Sequence, residues 1–222
     1  MNKWLYLKSE FYYQSLFNIA ISPDSGSTMS TLNSTEGINI GKLVNDGVGR
    51  NYGAEVTLEQ FTHNNMYFLL SASLYNSEYR AQDKVWRNTQ FNTGHALAFT
   101  AGKEFKVGKT DKNKQLGINL RMIYTGGMRR TPIDLEASMA KGETVTIEYK
   151  AFSEQNKDYL RFDVRISLRT NHAKSTSTLA LDLLNATNYK NVYGQYFEPE
   201  SGSIRTIHQV PLLPVLSYKL EF

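Results

Sequence analysis

Apolar and polar residues alternate with a period of two along most of this chain, and runs of turn-forming residues interrupt the alternation. The clearest stretch is 160–169. Leu160, Phe162, Val164, Ile166 and Leu168 fall on one side, with Arg161, Asp163, Arg165, Ser167 and Arg169 on the other. This is the signature of a strand with one oily and one polar face. It predicts about eight strands, over 3–20, 37–61, 65–80, 94–108, 115–130, 157–171, 176–193 and 204–222. Helix signals are nearly absent, so the predicted class is all-β and antiparallel.

The connections alternate in length. Residues 62–65, 109–114 and 172–175 are short and polar, whereas 21–36, 81–93, 131–156 and 194–203 are longer. Short turns on one side and long loops on the other predict an antiparallel transmembrane β-barrel segment with short periplasmic turns and long extracellular loops. The second run carries Gly41, Gly47, Gly49 and Gly53. Glycines inside strands mark bulges or close backbone approach. The alternative, a hairpin at Asn45-Asp46-Gly47, would break the alternation of loop lengths, so one long strand is the preferred expectation.

Composition changes this picture little. Of the 222 residues 41% are hydrophobic, with 14 Tyr and 11 Phe. No window approaches the roughly 20 apolar residues of a spanning helix, but membrane strands need only about 10 alternating residues. The first ten residues include Lys8 and Glu10 and do not read as a secretory signal. The net charge of +4 is dispersed among 21 acidic residues, which argues against a nucleic-acid partner. Absence of cysteine is compatible with an oxidising compartment.

Six stretches together resemble the C-terminal part of the β-barrel of TonB-dependent outer-membrane receptors. They are 49–59, with Gly49 followed by a Glu-rich alternation; 92–105, ending Ala101-Gly-Lys-Glu-Phe105; 124–134, with Gly126-Gly127; 159–169; 181–191, with Leu181-Asp-Leu-Leu-Asn-Ala-Thr-Asn-Tyr-Lys-Asn191; and 214–222. The resemblance covers almost the whole chain. It implies residues 1–222 as the closing segment of a barrel of about 22 strands, without the plug domain and the first strands. It also implies an outer-membrane location, a TonB partner acting through the missing plug, and import of a siderophore, cobalamin or oligosaccharide. Tyr218, Leu220 and Phe222 resemble the signal read by the barrel assembly machinery. A self-contained eight-stranded barrel with a structural or adhesive role is the alternative, and a soluble antiparallel protein a third.

Candidate ligand contacts fall in or beside the long loops: Trp86, Arg87, Phe91, Arg129, Arg130, Tyr193, Tyr196 and Phe197. Aromatic rings would suit a sugar or aromatic chelate, and arginines an anionic ligand. Arg121, Arg161, Arg165, Arg169, Glu55 and Glu59 are expected on the inner wall, mostly paired with one another. Catalytic patterns are lacking. His63, His95, His172 and His208 are scattered, no cysteine joins them, and no nucleophile elbow or phosphate-binding glycine loop occurs. The expectation is a non-enzyme without cofactor or metal.

Overall fold

A computed structural model describes residues 3–34, 41–108 and 113–222. With 62% strand against 6% helix, the chain is all-β. The elements are β1 (Leu5–Ile21), β2 (Val44–His63), β3 (Met66–Arg80), β4 (Trp86–Asn88), β5 (His95–Val107), β6 (Lys114–Thr125), β7 (Arg129–Arg130), α1 (Leu135–Lys141), β8 (Glu154–Gln155), β9 (Tyr159–Asn171), β10 (Thr176–Leu184), β11 (Val192–Glu198), β12 (Ser203–His208) and β13 (Leu213–Glu221), with two short 3₁₀ turns. The main sheet is an antiparallel meander in the order β1-β2-β3-β5-β6-β9-β10-β13, with β4 alongside β3. Among the described residues β1 and β13 are its two edges and do not pair with each other.

The local chemistry explains the turns. His63 pairs with Met66 across Asn64 and Asn65, whose φ angles are 52° and 57°. Two left-handed residues are what a tight hairpin needs, and asparagine tolerates that conformation best after glycine. At the same end, the His172 amide donates to the Ser175 carbonyl at 2.8 Å to close the β9–β10 hairpin. Of the third short connection, 109–112 lie outside the described residues.

Several boundaries differ from the expectation. The second strand begins at Val44 and runs unbroken to His63, so Asn45-Asp46-Gly47 is strand and not a hairpin; residues 37–40 of the expected strand lie outside the described residues. The seventh strand stops at Leu184, because Asn185 turns the chain with φ 50°. The expected eighth strand is two strands: β12 pairs with β11 in a separate hairpin, and β13 restarts after Pro211. The expected loop 194–203 is therefore mostly strand and turn of that hairpin, inside a longer connection that runs from 185 to 212. Pro214, which lacks a donor, sits in edge strand β13, where a missing N–H is tolerated. A helix was not expected, yet α1 has an ordinary frame: the Asp134 carboxylate accepts from the Ala137 amide at 3.0 Å, and Gly142 ends the helix at φ 71°.

Registers assign every side chain to a face, since paired residues share one. One face carries Leu7, Phe11 and Tyr13 of β1, then Val56, Leu58, Leu70, Phe99, Leu120, Val164, Leu183 and Tyr218. The row Ile118, Ile166, Leu181, Leu216 crosses its middle. The opposite face carries Glu10, Glu55, Arg121, Asp163, Arg165, Asp182 and Lys219. Among the described residues no second layer covers the apolar face: Phe11 is 85% exposed, Leu216 72% and Phe222 98%. Burial is confined to a few places. Tyr79, Ile21 and Ala81 pack with Phe152 and Leu32 where the long connections meet the sheet.

The rows are also sheared. The row that starts at Leu5, the first residue of β1, passes Gln60, Phe68, Ala101, Leu120, Val164 and Leu183 and reaches Pro214, near the opposite end of β13. It climbs about one residue per strand, which at about 3.3 Å rise and 4.8 Å spacing is a tilt of roughly 35°.

Close approach is required at Gly53 on the polar face. A Cβ there would meet the Leu74 carbonyl at 2.6 Å and the Tyr12 hydroxyl and Tyr75 Cβ at 2.8 Å. Gly53→Val must displace β3 backbone and destabilise the sheet by about 1–3 kcal/mol. Urea unfolding followed by tryptophan fluorescence checks this, and an unshifted midpoint would refute the close packing.

Candidate functional site

Side chains from several connections converge at the end of the sheet opposite the tight turns. Three long connections interlock there. The Gln90 amide donates to Asn33 Oδ1 at 2.7 Å, tying the 81–94 connection to the first one. Arg129 Nε donates to the Asn92 carbonyl at 2.9 Å, and Gln155 Nε2 to the Thr93 and Gly127 carbonyls at 3.1 and 3.0 Å. Gly126 and Gly127 make this possible, because a Cβ on either would collide with the Thr93 or Asn156 carbonyl. Tyr79, fully buried, donates its hydroxyl to the Thr28 carbonyl at 2.9 Å.

The last connection is fastened by asparagines of the 181–191 stretch. Buried Asn185 donates Nδ2 to the Tyr189 and Val210 carbonyls at 3.0 and 3.2 Å, while its Oδ1 accepts from the Tyr189 amide at 3.2 Å. Asn188 Oδ1 accepts from the Leu212 amide at 3.0 Å. Asn191 holds Leu160 from both sides, accepting its amide at 2.9 Å and donating to its carbonyl at 2.8 Å, as a neighbouring strand would. Sequence reading took this stretch as strand; the repeated Asn at spacing three was the signal of a built turn.

The expected ligand contacts are placed as follows. Trp86 is stacked by the guanidinium groups of Arg50 and Arg80, at 4.5 and 5.4 Å from its ring. Arg87 pairs with Asp83 at 2.6 Å and donates to the Tyr149 carbonyl at 3.3 Å. Arg129 is spent on Asn92. Phe197 is buried, and its amide donates to Thr144 Oγ1 at 2.9 Å, so it braces the roof from within. Tyr193 and Tyr196 project from β11 into solvent. Phe91 borders a pocket of about 500 Å³ on the polar face with Tyr12, Gln14, Asn51, Glu55, Tyr75 and Ser77. Arg130 pairs with Glu154 at 2.5 Å and lines a second pocket of about 500 Å³ between the 126–158 and 185–212 connections. Tyr218, Leu220 and Phe222 lie exposed on the apolar face, at the short-turn end.

On the polar face Arg161 pairs with Asp163 at 2.8 Å and Arg165 with Asp182 at 3.1 Å; Arg121 stands opposite Asp163. Such partly exposed pairs stabilise by at most about 1 kcal/mol each. They keep the face polar more than they hold it together. Arg169 lines a third pocket, of about 390 Å³, with Glu104, Arg165, Lys219 and Glu221, and Glu59 lies opposite Leu69 on the same face. In the β11–β12 hairpin, hydrogen bonds from Ser201 and Arg205 hold the Glu198 carboxyl below the usual carboxylate range.

Among the described residues no group of three or more His, Cys, Asp or Glu side chains is placed to hold a metal ion, and no helix is long and apolar enough to cross a membrane. The geometry offers recognition surfaces on polar walls and between connections. Comparison with family models, curated proteins and solved structures found no match in any of the three.

Asn185→Ala would leave the Val210 carbonyl and Tyr189 amide without this partner, at a cost of about 1–3 kcal/mol. The expected outcome is faster protease cleavage within 186–212 with the main sheet retained. Unchanged cleavage rates would show that the connection is held by other contacts.

Proposed function

We propose that this chain is the closing segment of an outer-membrane β-barrel of the TonB-dependent receptor type, contributing wall and outer loops to an importer. The supporting observation is the apolar face: all eight strands of the meander present it, side by side, with nothing packed on it. In water such a face costs about 25 cal/mol for each Å² of apolar surface left uncovered. In lipid it is the surface a membrane strand needs, with its polar face turned to an aqueous interior. The roughly 35° tilt falls at the lower end of the range membrane barrels use.

The short turns then face the periplasm and the interlocked roof the exterior. Tyr13 and Tyr52 stack with ring centroids 6.4 Å apart on the apolar face near the middle of β1 and β2, and Tyr124 lies on the same face one residue from the loop end of β6. These rings form the girdle expected at headgroup level. Ligands would meet the roof first and the polar wall next.

Strand length favours a larger barrel over a self-contained one. β1 has 17 residues and β13 nine, so direct closure would leave about half of the β1 edge without partners. Unpaired backbone is not viable in hydrocarbon. On this reading further strands stand beside β1, and the ligand is an imported small molecule whose selectivity is shared with a plug. The barrel assembly machinery and outer-membrane lipid are its other partners.

Two measurements test the reading. Immunoblotting of outer-membrane fractions with an antibody against 194–203, heated and unheated, should show a band several times larger than 25.3 kDa. A heat-shifting band near that mass would establish the small self-standing barrel instead, and a soluble band neither. Ile166→Arg, at the middle of the apolar face, should cost roughly 2–4 kcal/mol and deplete the protein from the outer membrane. Arg165→Gln on the opposite face should not, and equal depletion by both would remove the distinction between the faces.

A further inference from the structure

The pocket between the 126–158 and 185–212 connections has a charge balance unlike the rest of the molecule. Arg130, Lys157, Lys190 and His208 border it. Of three carboxylates near these side chains in sequence, one offsets a charge of the pocket itself and two are engaged elsewhere. Glu154 binds Arg130, Asp158 accepts the Tyr124 hydroxyl at 2.5 Å, and Glu198 is held by Arg205 at 2.8 Å. Lys157 and Lys190 make no ion pair among the described residues. Arg130 Nε is buried without a hydrogen-bond partner among them.

The walls are built in advance of any ligand. Gln155 is pinned by its two carbonyl contacts, and Lys190 lies between Tyr189 and Asn191, both within the asparagine-fastened turn. Gln195 and Thr206 are joined at 3.3 Å across the β11–β12 hairpin and form the facing wall. The hairpin supplies His208, the body of the 126–158 connection supplies Arg130 and Lys157, and the turn after β10 supplies Lys190. Three cations, Arg130, Lys157 and Lys190, from two connections around one space of about 500 Å³ suit a compact group with several negative oxygens.

We propose that this pocket is an anion-binding site for a phosphate- or polycarboxylate-bearing ligand, with Arg130 as the directional donor, Lys157 and Lys190 as charge partners and His208 as part of the polar wall. The site rests on the barrel reading only for the side of the membrane it faces. There the same chemistry has two sources, a diffusible phosphorylated or carboxylated solute and the phosphates of a lipopolysaccharide headgroup.

The test is calorimetric titration of the native polypeptide in mild detergent with pyrophosphate, at low and high salt. Pyrophosphate should bind with an affinity that falls with salt, and Lys157→Gln/Lys190→Gln should weaken it roughly tenfold or more. Lys157→Arg/Lys190→Arg should retain it, and near-ultraviolet circular dichroism should match the parent in both. Equal affinity in the Gln variant, or no binding at millimolar pyrophosphate, overturns the proposal. Repeating the titration in nanodiscs separates the sources. Competition by lipopolysaccharide supports the site with a headgroup occupant, and undiminished binding supports it with a diffusible one. Failure here leaves the barrel reading intact, whereas a polypeptide found outside the membrane overturns that reading while the titration still scores the pocket.

Discussion

The antiparallel backbone ladder is the interaction on which everything else in this chain depends. Most domains of this size are held by a core between two layers. Here the main sheet has no second layer, and only seven apolar residues are buried among those described. Cohesion therefore comes from strand to strand, through long registers such as the twelve consecutive pairs from Lys114↔Thr170 to Thr125↔Tyr159. The side chains on either face add to the ladder without replacing it, and that leaves both faces free to match two different solvents.

A ladder of this kind stops where the strands stop, so the loop end needs other fasteners. It uses neutral amides. Asn33, Asn92, Asn185, Asn188 and Asn191 bond backbone groups or other amides at 2.6–3.2 Å, and buried Asn191 imitates a strand partner for Leu160. An amide can donate and accept at once, and it enters a partly buried site without the desolvation cost of a charge. Cations are thereby left over at this end of the molecule, and some of them, Arg87 and Arg129 among them, take structural work as well. Arg130, Lys157 and Lys190 of that surplus border one pocket whose lining holds no carboxylate.

The antiparallel all-β class and the alternation of short and long connections were legible in the sequence, because each rests on period-two alternation or on local turn chemistry. Residues 160–169 needed nothing beyond their own pattern. What was not legible depends on partners distant in sequence. The asparagines from Asn185 onward announce a turn, but the exact end of the strand is set by Asn185 reaching Asp163 and Val210. Phe197 looks like a loop aromatic until Thr144 is seen to hold its amide. The placement of Arg130, Lys157, Lys190 and His208 around one space comes from three segments whose relation only the fold supplies. The Asp134 to Gly142 frame of α1 is present in the sequence, but seven residues carry too little periodicity to stand out.

Shear and edge length together constrain what surrounds the sheet. A steady climb of one residue per strand means that each added strand advances the ladder along the sheet, and a sheet that does so with a fixed hand tends to curl on itself. The strands shorten across the meander, from 20 residues in β2 to nine in β10 and β13, so the wall is tall on one side and low on the other. The low side is the one roofed by the β11–β12 hairpin and the asparagine turn, and the tall side presents β1 along its whole free edge. A surface that must satisfy 17 residues of backbone on one flank and nine on the other is matched by a neighbouring wall that changes height the other way. Additional strands can make that change gradually. One seam between β1 and β13 would have to make it in a single step, and if the apolar face meets lipid as proposed, hydrocarbon would leave no water to pair with the remainder.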